Sequence, residues 1–146
     1  HAHAESGYNE RRRECAHAAE ALGVKTLRDA DEAQARSLPE PLDRRVRHVL
    51  RENERVRRGV RALRAGELPT LAALLDASHR SLRDDYEVSV PEVERTVARM
   101  KEAGAAGARI MGGGFGGAVL AVFPPASPPP ENVLPVVPAE GARLLV

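Results

Sequence analysis

Gly107–Phe123, GARIMGGGFGGAVLAVF, carries five glycines in six positions (Gly112, Gly113, Gly114, Gly116 and Gly117) between two short apolar runs. Glycine loses more conformational freedom on ordering than any other residue, so five together need a physical reason. ARIM and AVLAVF read as short buried strands on either side. GGGFGG lacks the Lys-Ser/Thr that completes a P-loop. A strand-like run follows it, not a helix, so the dinucleotide fingerprint fails too. Two readings stand side by side. One is a tight hairpin whose turn demands positive φ. The other is a loop without Cβ atoms, where successive backbone N–H groups come close to an anion or a sugar.

Upstream of the loop the spacing is helical. Pro91 suits a first helical position, and Val93, Val97 and Met100 give a stripe that ends near Gly104. YEVSV, just before it, is β-rich and reads as a short strand. Leu68, Leu71, Leu74, Leu75, Ser78 and Leu82 mark another helix. Leu42, Val46, Val49, Leu50, Asn53, Val56, Val60 and Leu63 mark the longest one, over six turns, stopped by Gly66. The short connection at Gly66 makes these two an antiparallel pair. SGYNERRRECAHAAEALGV reads as a helix with Ser6 or Gly7 at its N-cap. Its stripe is Cys15, Ala18, Ala19 and Leu22, and Gly23 ends it. KTLRDADEAQARSLPEP is a polar connection with short helical turns around Leu27 and Ala33. HAHA reads as the tail of a strand.

Downstream, seven of the eleven prolines fall between Pro124 and Pro138, which excludes a regular helix and disfavours a central strand. ARLLV is a candidate final edge strand. The order of elements predicts an α+β domain, with helices packed on one face of a small antiparallel sheet and the glycine loop at a sheet-to-helix edge. The expected organisation is a domain over 1–123 and a proline-rich tail over 124–146.

Composition narrows the partners. The 146 residues suit one domain. With no Trp and only Tyr8, Tyr86, Phe115 and Phe123 as aromatics, the core must be Leu, Val and Ala. A lone Cys15 makes no internal disulfide and fits a reducing, cytoplasmic setting. No apolar run approaches the ~18 residues of a membrane span. The N-terminus lacks a signal-peptide pattern and a starting Met, so a chain cut at its front is expected. Net charge is +1, which gives no overall bias towards nucleic acid. Nine arginines nevertheless stand between Leu42 and Gly66 against Asp43, Glu52 and Glu54. They read as a solvated helix face. The alternative, a nucleic-acid surface, lacks interleaved aromatics for stacking.

Two other groupings invite chemistry. His1 and His3, spaced i, i+2, would need further ligands to hold a metal. Ser78–His79 near Asp84 and Asp85 invites a hydrolase reading, but adjacent helical residues point apart.

A resemblance favours the second reading of the loop. GARIMGGGFGGAVLAV resembles the third motif of the galactokinase family, within the galactose/homoserine/mevalonate/phosphomevalonate (GHMP) kinases. GYNERRRECAHAAEALGVKTLRDA, RRVRHVLRENERV and LLDASHRSLRDDYEVSVPEVE resemble three further blocks of that family, in the right order. Together they cover about Tyr8 to Val122. The resemblance implies a GHMP kinase C-terminal domain of ferredoxin-like type. The complete enzyme moves the ATP γ-phosphoryl group to the 1-hydroxyl of galactose, with Mg2+. It implies that Tyr8 contacts the sugar and that Met111, Gly112, Gly113, Gly114, Phe115, Gly116 and Gly117 line the cleft. It implies no catalytic residue and no metal ligand in this chain, because the family's phosphate loop and candidate catalytic Asp have no counterpart in residues 1–146. ATP and Mg2+ are therefore not expected to bind this chain tightly. The expected partners are a galactose-type sugar, the missing N-terminal kinase domain and a second copy through the exposed domain interface. Nucleic acid and membrane are not among them. Met111 stands where the family has Thr, and Ala118 where it has Cys. Two alternatives remain: a non-catalytic sugar-binding or regulatory module, and a basic-helix interaction protein.

Overall fold

The structure, a computed structural model, describes residues 2–137. The chain runs through α1 (Ala2–Ala21), a single 3-10 turn (Leu27–Asp29), α2 (Glu32–Arg36), α3 (Leu42–Ala65), α4 (Leu68–Asp84), α5 (Pro91–Glu102), β1 (Gly107–Ile110) and β2 (Val119–Val122). The helical stripes, the turns around Leu27 and Ala33 and the strands beside the glycine loop form where the sequence places them. The result is an α+β domain, helix-rich, with a small antiparallel sheet.

The central element is α3. Val46 is fully buried, and with Ala18 of α1, Leu27 and Ala35 of α2 it makes one core, sealed by Cys15, Leu22, Leu38, Leu42, Val49 and Leu50. Short α2 holds its place through a capping box. Asp31 Oδ1 accepts from the N–H groups of Ala33 and Gln34, and Gln34 Oε1 accepts from Asp31 N–H. A second core joins α5 to the strands: Met100, Ala105 and Ala108, packed by Val97, Val119, Ala121, Phe123 and Val133.

The sheet is built against α4. β1 and β2 pair antiparallel, with Ala108 opposite Ala121 and Ile110 opposite Val119. The outer edge of β1 would leave N–H groups unpaired, a costly state for a buried strand. Two α4 side chains three residues apart meet them. Asp76 Oδ1 accepts from Ala108 N–H at 2.9 Å, and His79 Nδ1 accepts from Ile110 N–H at 3.4 Å. So close an approach needs Gly107, where a Cβ would overlap the backbone of Ala72 on α4.

Three expectations give way. HAHA is no strand tail, because α1 begins at Ala2, and Ser6 and Gly7 therefore lie inside the helix. Ala is the best helix former, and helix wins there. YEVSV forms no strand, for its backbone is spent elsewhere. Tyr86 and Val88 donate to Ser81 and Leu82 at the end of α4, Val88 C=O accepts from the glycine loop, and Glu87 takes a left-handed φ of 54°. The stripe of α3 is only half buried, since Val56, Val60 and Leu63 are exposed. ARLLV lies outside the described residues. Among those described, the proline-rich segment carries neither helix nor strand.

His48 stands on the inner side of α3, stacked on Tyr86 with ring centroids 4.6 Å apart. Ser81 Oγ gives its one proton to Asp85 Oδ2, so it accepts from His48 Nδ1–H at 2.9 Å. Burial lowers the pKa of His48 to about 4, and the charges of Glu52, Arg55, Asp85 and Arg109 around it largely offset one another. The group stays neutral in the fold and protonates first in the unfolded chain. Its contribution to stability is therefore complete above pH 6.5 and is lost as pH falls towards 4. Urea unfolding should show stability falling by about 1 kcal/mol between pH 6.5 and 5.5, above most of the range where carboxylates titrate. His48→Gln should flatten that slope.

Candidate functional site

The glycine loop leaves β1 at Met111, whose N–H donates to Ala118 C=O at 2.8 Å and closes the base of the turn. Gly112, Gly114, Gly116 and Gly117 all have positive φ, which meets the demand of the hairpin reading. The loop also leans onto protein. Phe115 N–H donates to Val88 C=O at 2.7 Å. A Cβ at Gly114 would overlap the Val88 side chain, so only glycine closes that contact. Phe115, the one residue between Gly112 and Gly117 with a side chain, takes a φ of 59° and lays its ring on Gly7 of α1, where a Cβ would stand 2.6 Å from ring atom Cε1.

The next residue of α1 is Tyr8. A Cβ at Gly113 would lie 3.3 Å from its Cδ2, so the phenol and the glycine loop share one surface. Tyr8 is 49% exposed and Met111 47%. Of the residues singled out from the sequence, Gly113 is thus brought beside Tyr8 and Phe115 beside Gly7, whereas Met111, at the base of the turn, lines a separate groove with Ala118, Val119 and Leu120.

What holds this surface is not evident from the sequence. Arg45, one of the nine arginines of the expected solvated face, is 1% exposed. Its position between Leu42 and Val49 on the apolar side of α3 is the available signal. Nε pairs with Glu14 Oε2 of α1, Nη1 donates to Asp85 C=O, and Nη2 pairs with Glu87 Oε2, each at 2.6 Å. Arg11 of α1 joins from the side, 3.2 Å from Glu14 and 3.4 Å from Glu87. The hydrogen bond from Arg45 holds the Glu87 carboxyl below the usual carboxylate range, helped by the charges of Arg44 and Arg11. Nearby, Cys15 Sγ lies 3.4 Å from Tyr86 OH, and burial pushes its thiol up, away from the reactive thiolate.

The other groupings are structural. Ser78 Oγ donates to Glu52 Oε1 at 2.6 Å, while His79 Nε2 lies 3.1 Å from Glu94 Oε1. The two side chains point apart and form no triad. Glu52 also takes Arg55 and Arg109. Burial opposes its ionisation, but the bonds from Ser78 and Arg55 and the two arginine charges hold it below the usual carboxylate range. Seven of the nine α3 arginines (44, 45, 47, 51, 55, 57 and 61) meet a carboxylate within 4 Å. His1 and the side chain of His3 lie outside what the structure describes. Among the described residues, no three of His, Cys, Asp and Glu gather as a metal-binding group, and no helix is long and apolar enough to cross a membrane.

Residues 60–133, just over half of the chain, match the family model described as GHMP kinases C terminal. The galactokinase of Roseiflexus sp. (strain RS-1) is 44% identical over 129 residues, 82% of this chain and 33% of the relative. That of Thermotoga neapolitana is 47% identical over 116 residues, 79% and 33%. A solved structure, Lactococcus lactis galactokinase complexed with galactose, is similar with a TM-score of 0.74 and 35% identity, over 81% of this chain and 33% of that one. The chain thus spans about a third of the length of the curated relatives it matches.

The contacts of this surface can be separated by substitution. Gly114→Ala forces a Cβ into Val88 at a positive φ, and urea unfolding should show a loss of about 1–3 kcal/mol. Tyr8→Phe removes only an exposed hydroxyl and should stay within about 0.5 kcal/mol of the parent.

Proposed function

The chain belongs to the GHMP kinase family, and from that membership we propose that it forms the C-terminal wall of a galactose-phosphorylating active site. The observation that carries the reading is the meeting of Tyr8 with Gly113 on one open surface. A phenol both donates to and accepts from sugar hydroxyls. Beside it lies a loop whose backbone lacks side chains to keep a ligand away. The relatives are galactokinases and the solved neighbour is complexed with galactose, which supplies the substrate class.

In this reading Tyr8 orients the sugar, and Met111 to Gly117 flank the cleft and help exclude water. Phosphoryl transfer is catalysed by positioning and electrostatics, so a single wall does not suffice. No catalytic residue is assigned to this chain. Mg2+ takes oxygen ligands, whereas the loop offers backbone N–H groups. The residues present do not fit the metal, and no step is routed through it. The metal and the ATP phosphates fall to a domain that this chain does not contain, and that domain is the partner proposed. Met111, in place of a threonine hydroxyl, removes one hydrogen bond from the cleft and leaves apolar surface.

A coupled ADP-release assay with galactose, ATP and Mg2+ tests the reading. The chain alone should be silent, and mixing with the N-terminal half of a related galactokinase should restore turnover. Turnover by the chain alone would sink the half-site idea. Silence in both arrangements would leave sugar binding without catalysis, to be read by galactose titration at Tyr8. The exposed apolar surface of Tyr8 and Met111 should draw copies of the chain together. Sedimentation velocity should show a concentration-dependent shift above the monomer. An unchanged monomer at high concentration would count against this.

A further inference from the structure

Gly7 and Glu14 lie seven residues, two turns, apart on one face of α1. Gly7 touches the Phe115 ring, and Glu14 touches Arg45. The two ends are joined a second way. Arg45 grips Glu87, the next residue is Val88, and Val88 C=O accepts from Phe115 N–H. The contacts close a circuit: α1, Arg45, residue 87, Val88, Phe115 and α1 again. Glu87 is the weak link, because a left-handed φ of 54° is unfavourable for a residue with a side chain. Its carboxylate is held by Arg45 at 2.6 Å, by Arg44 at 3.3 Å and by Arg11 at 3.4 Å. Arg45 also takes the carbonyl of Asp85, so it fixes the backbone on the near side of residue 87 as well.

We propose that Arg45 is a positioning residue for the sugar-facing wall: by holding residue 87 in its left-handed backbone it sets where Val88 presents its carbonyl, and so where the glycine loop stands against Gly7 and Tyr8. The proposal rests on the reading of that wall as a sugar site, but its measurement needs no turnover. A failed phosphorylation assay leaves it standing, and its own failure leaves the assay's reading standing.

The probe is the shift of the Gly7 α-proton that faces the Phe115 ring, together with amide exchange at Phe115. Both are read by NMR on the whole chain. Arg45→Lys keeps the charge and loses the planar fork. It should cancel the ring-current shift at Gly7 and speed Phe115 exchange by roughly tenfold or more. Glu87→Ala should do the same, whereas Glu87→Gly, which accepts a positive φ freely, should not. The double variant Arg45→Lys/Glu87→Gly should recover the parent shift. Leu27→Ala, in the core away from the loop, lowers stability generally and should leave the Gly7 shift in place. Parent-like Gly7 and Phe115 signals in Arg45→Lys and Glu87→Ala would overturn the proposal. So would a double variant that stays displaced. If Arg45→Lys does not fold, the comparison of Ala with Gly at residue 87 decides alone.

Discussion

The guanidinium of Arg45 is the constraint around which the rest is arranged. A charge taken out of water costs several kcal/mol unless it is paired and fully hydrogen-bonded. At 1% exposure, Arg45 must find acceptors inside the protein. It finds three, and they come from separate parts of the chain: Glu14 on α1, the carbonyl that ends α4, and Glu87 in the connection to α5. A lysine carries its three donors on one compact nitrogen and lacks the planar fork that spreads these bonds over Nε, Nη1 and Nη2. The planar fork therefore decides where α1 lies on α3 and how the chain leaves α4. Both decisions are felt at the glycine loop, because α1 brings Gly7 and Tyr8 and the connection brings Val88.

The sheet depends on a second polar device of the same kind. Two strands of four residues are too few to stand alone. Asp76 and His79 act as a surrogate third strand, meeting the N–H groups that β1 turns away from β2. Asp76 is itself held by Lys101 of α5 at 2.8 Å, and His79 lies beside Glu94 of α5. The edge of β1, α4 and α5 are thus joined by polar side chains where a larger sheet would use backbone. This explains how a strand so short stays buried, and why Gly107 must let α4 come close.

Apolar spacing makes the helices and the two strands legible, because burial repeats with the period of the element. It fails where a polar contact overrides it. Arg45 and His48 sit within the inner face of α3, yet their polarity alone points them to solvent. YEVSV has β propensity, but Arg45 pins Glu87 in a conformation no strand accepts. Val56, Val60 and Leu63 keep the helical period without a neighbour to cover them. Tyr8 and the loop are legible by motif, not by periodicity. Their proximity could not be foreseen, since it runs through Phe115 and Gly7, residues 108 positions apart with no pattern linking them.

The cluster of glycines now divides by cause. Gly113 and Gly114 face protein: a side chain at the first would crowd Tyr8, and at the second would strike Val88. Gly112 and Gly116 face open space, where a Cβ would meet nothing, and only their positive φ asks for glycine. A hairpin turn by itself needs one or two such positions. Here four of the loop's glycines take that region within six residues. The turning sends the Phe115 ring inward onto α1 while Gly112, Gly113 and Gly117 remain exposed. A loop built only to reverse direction would bury its apolar residue at no such conformational cost. This one anchors itself through the single Phe115 ring on Gly7 and sets Gly113 against the Tyr8 phenol.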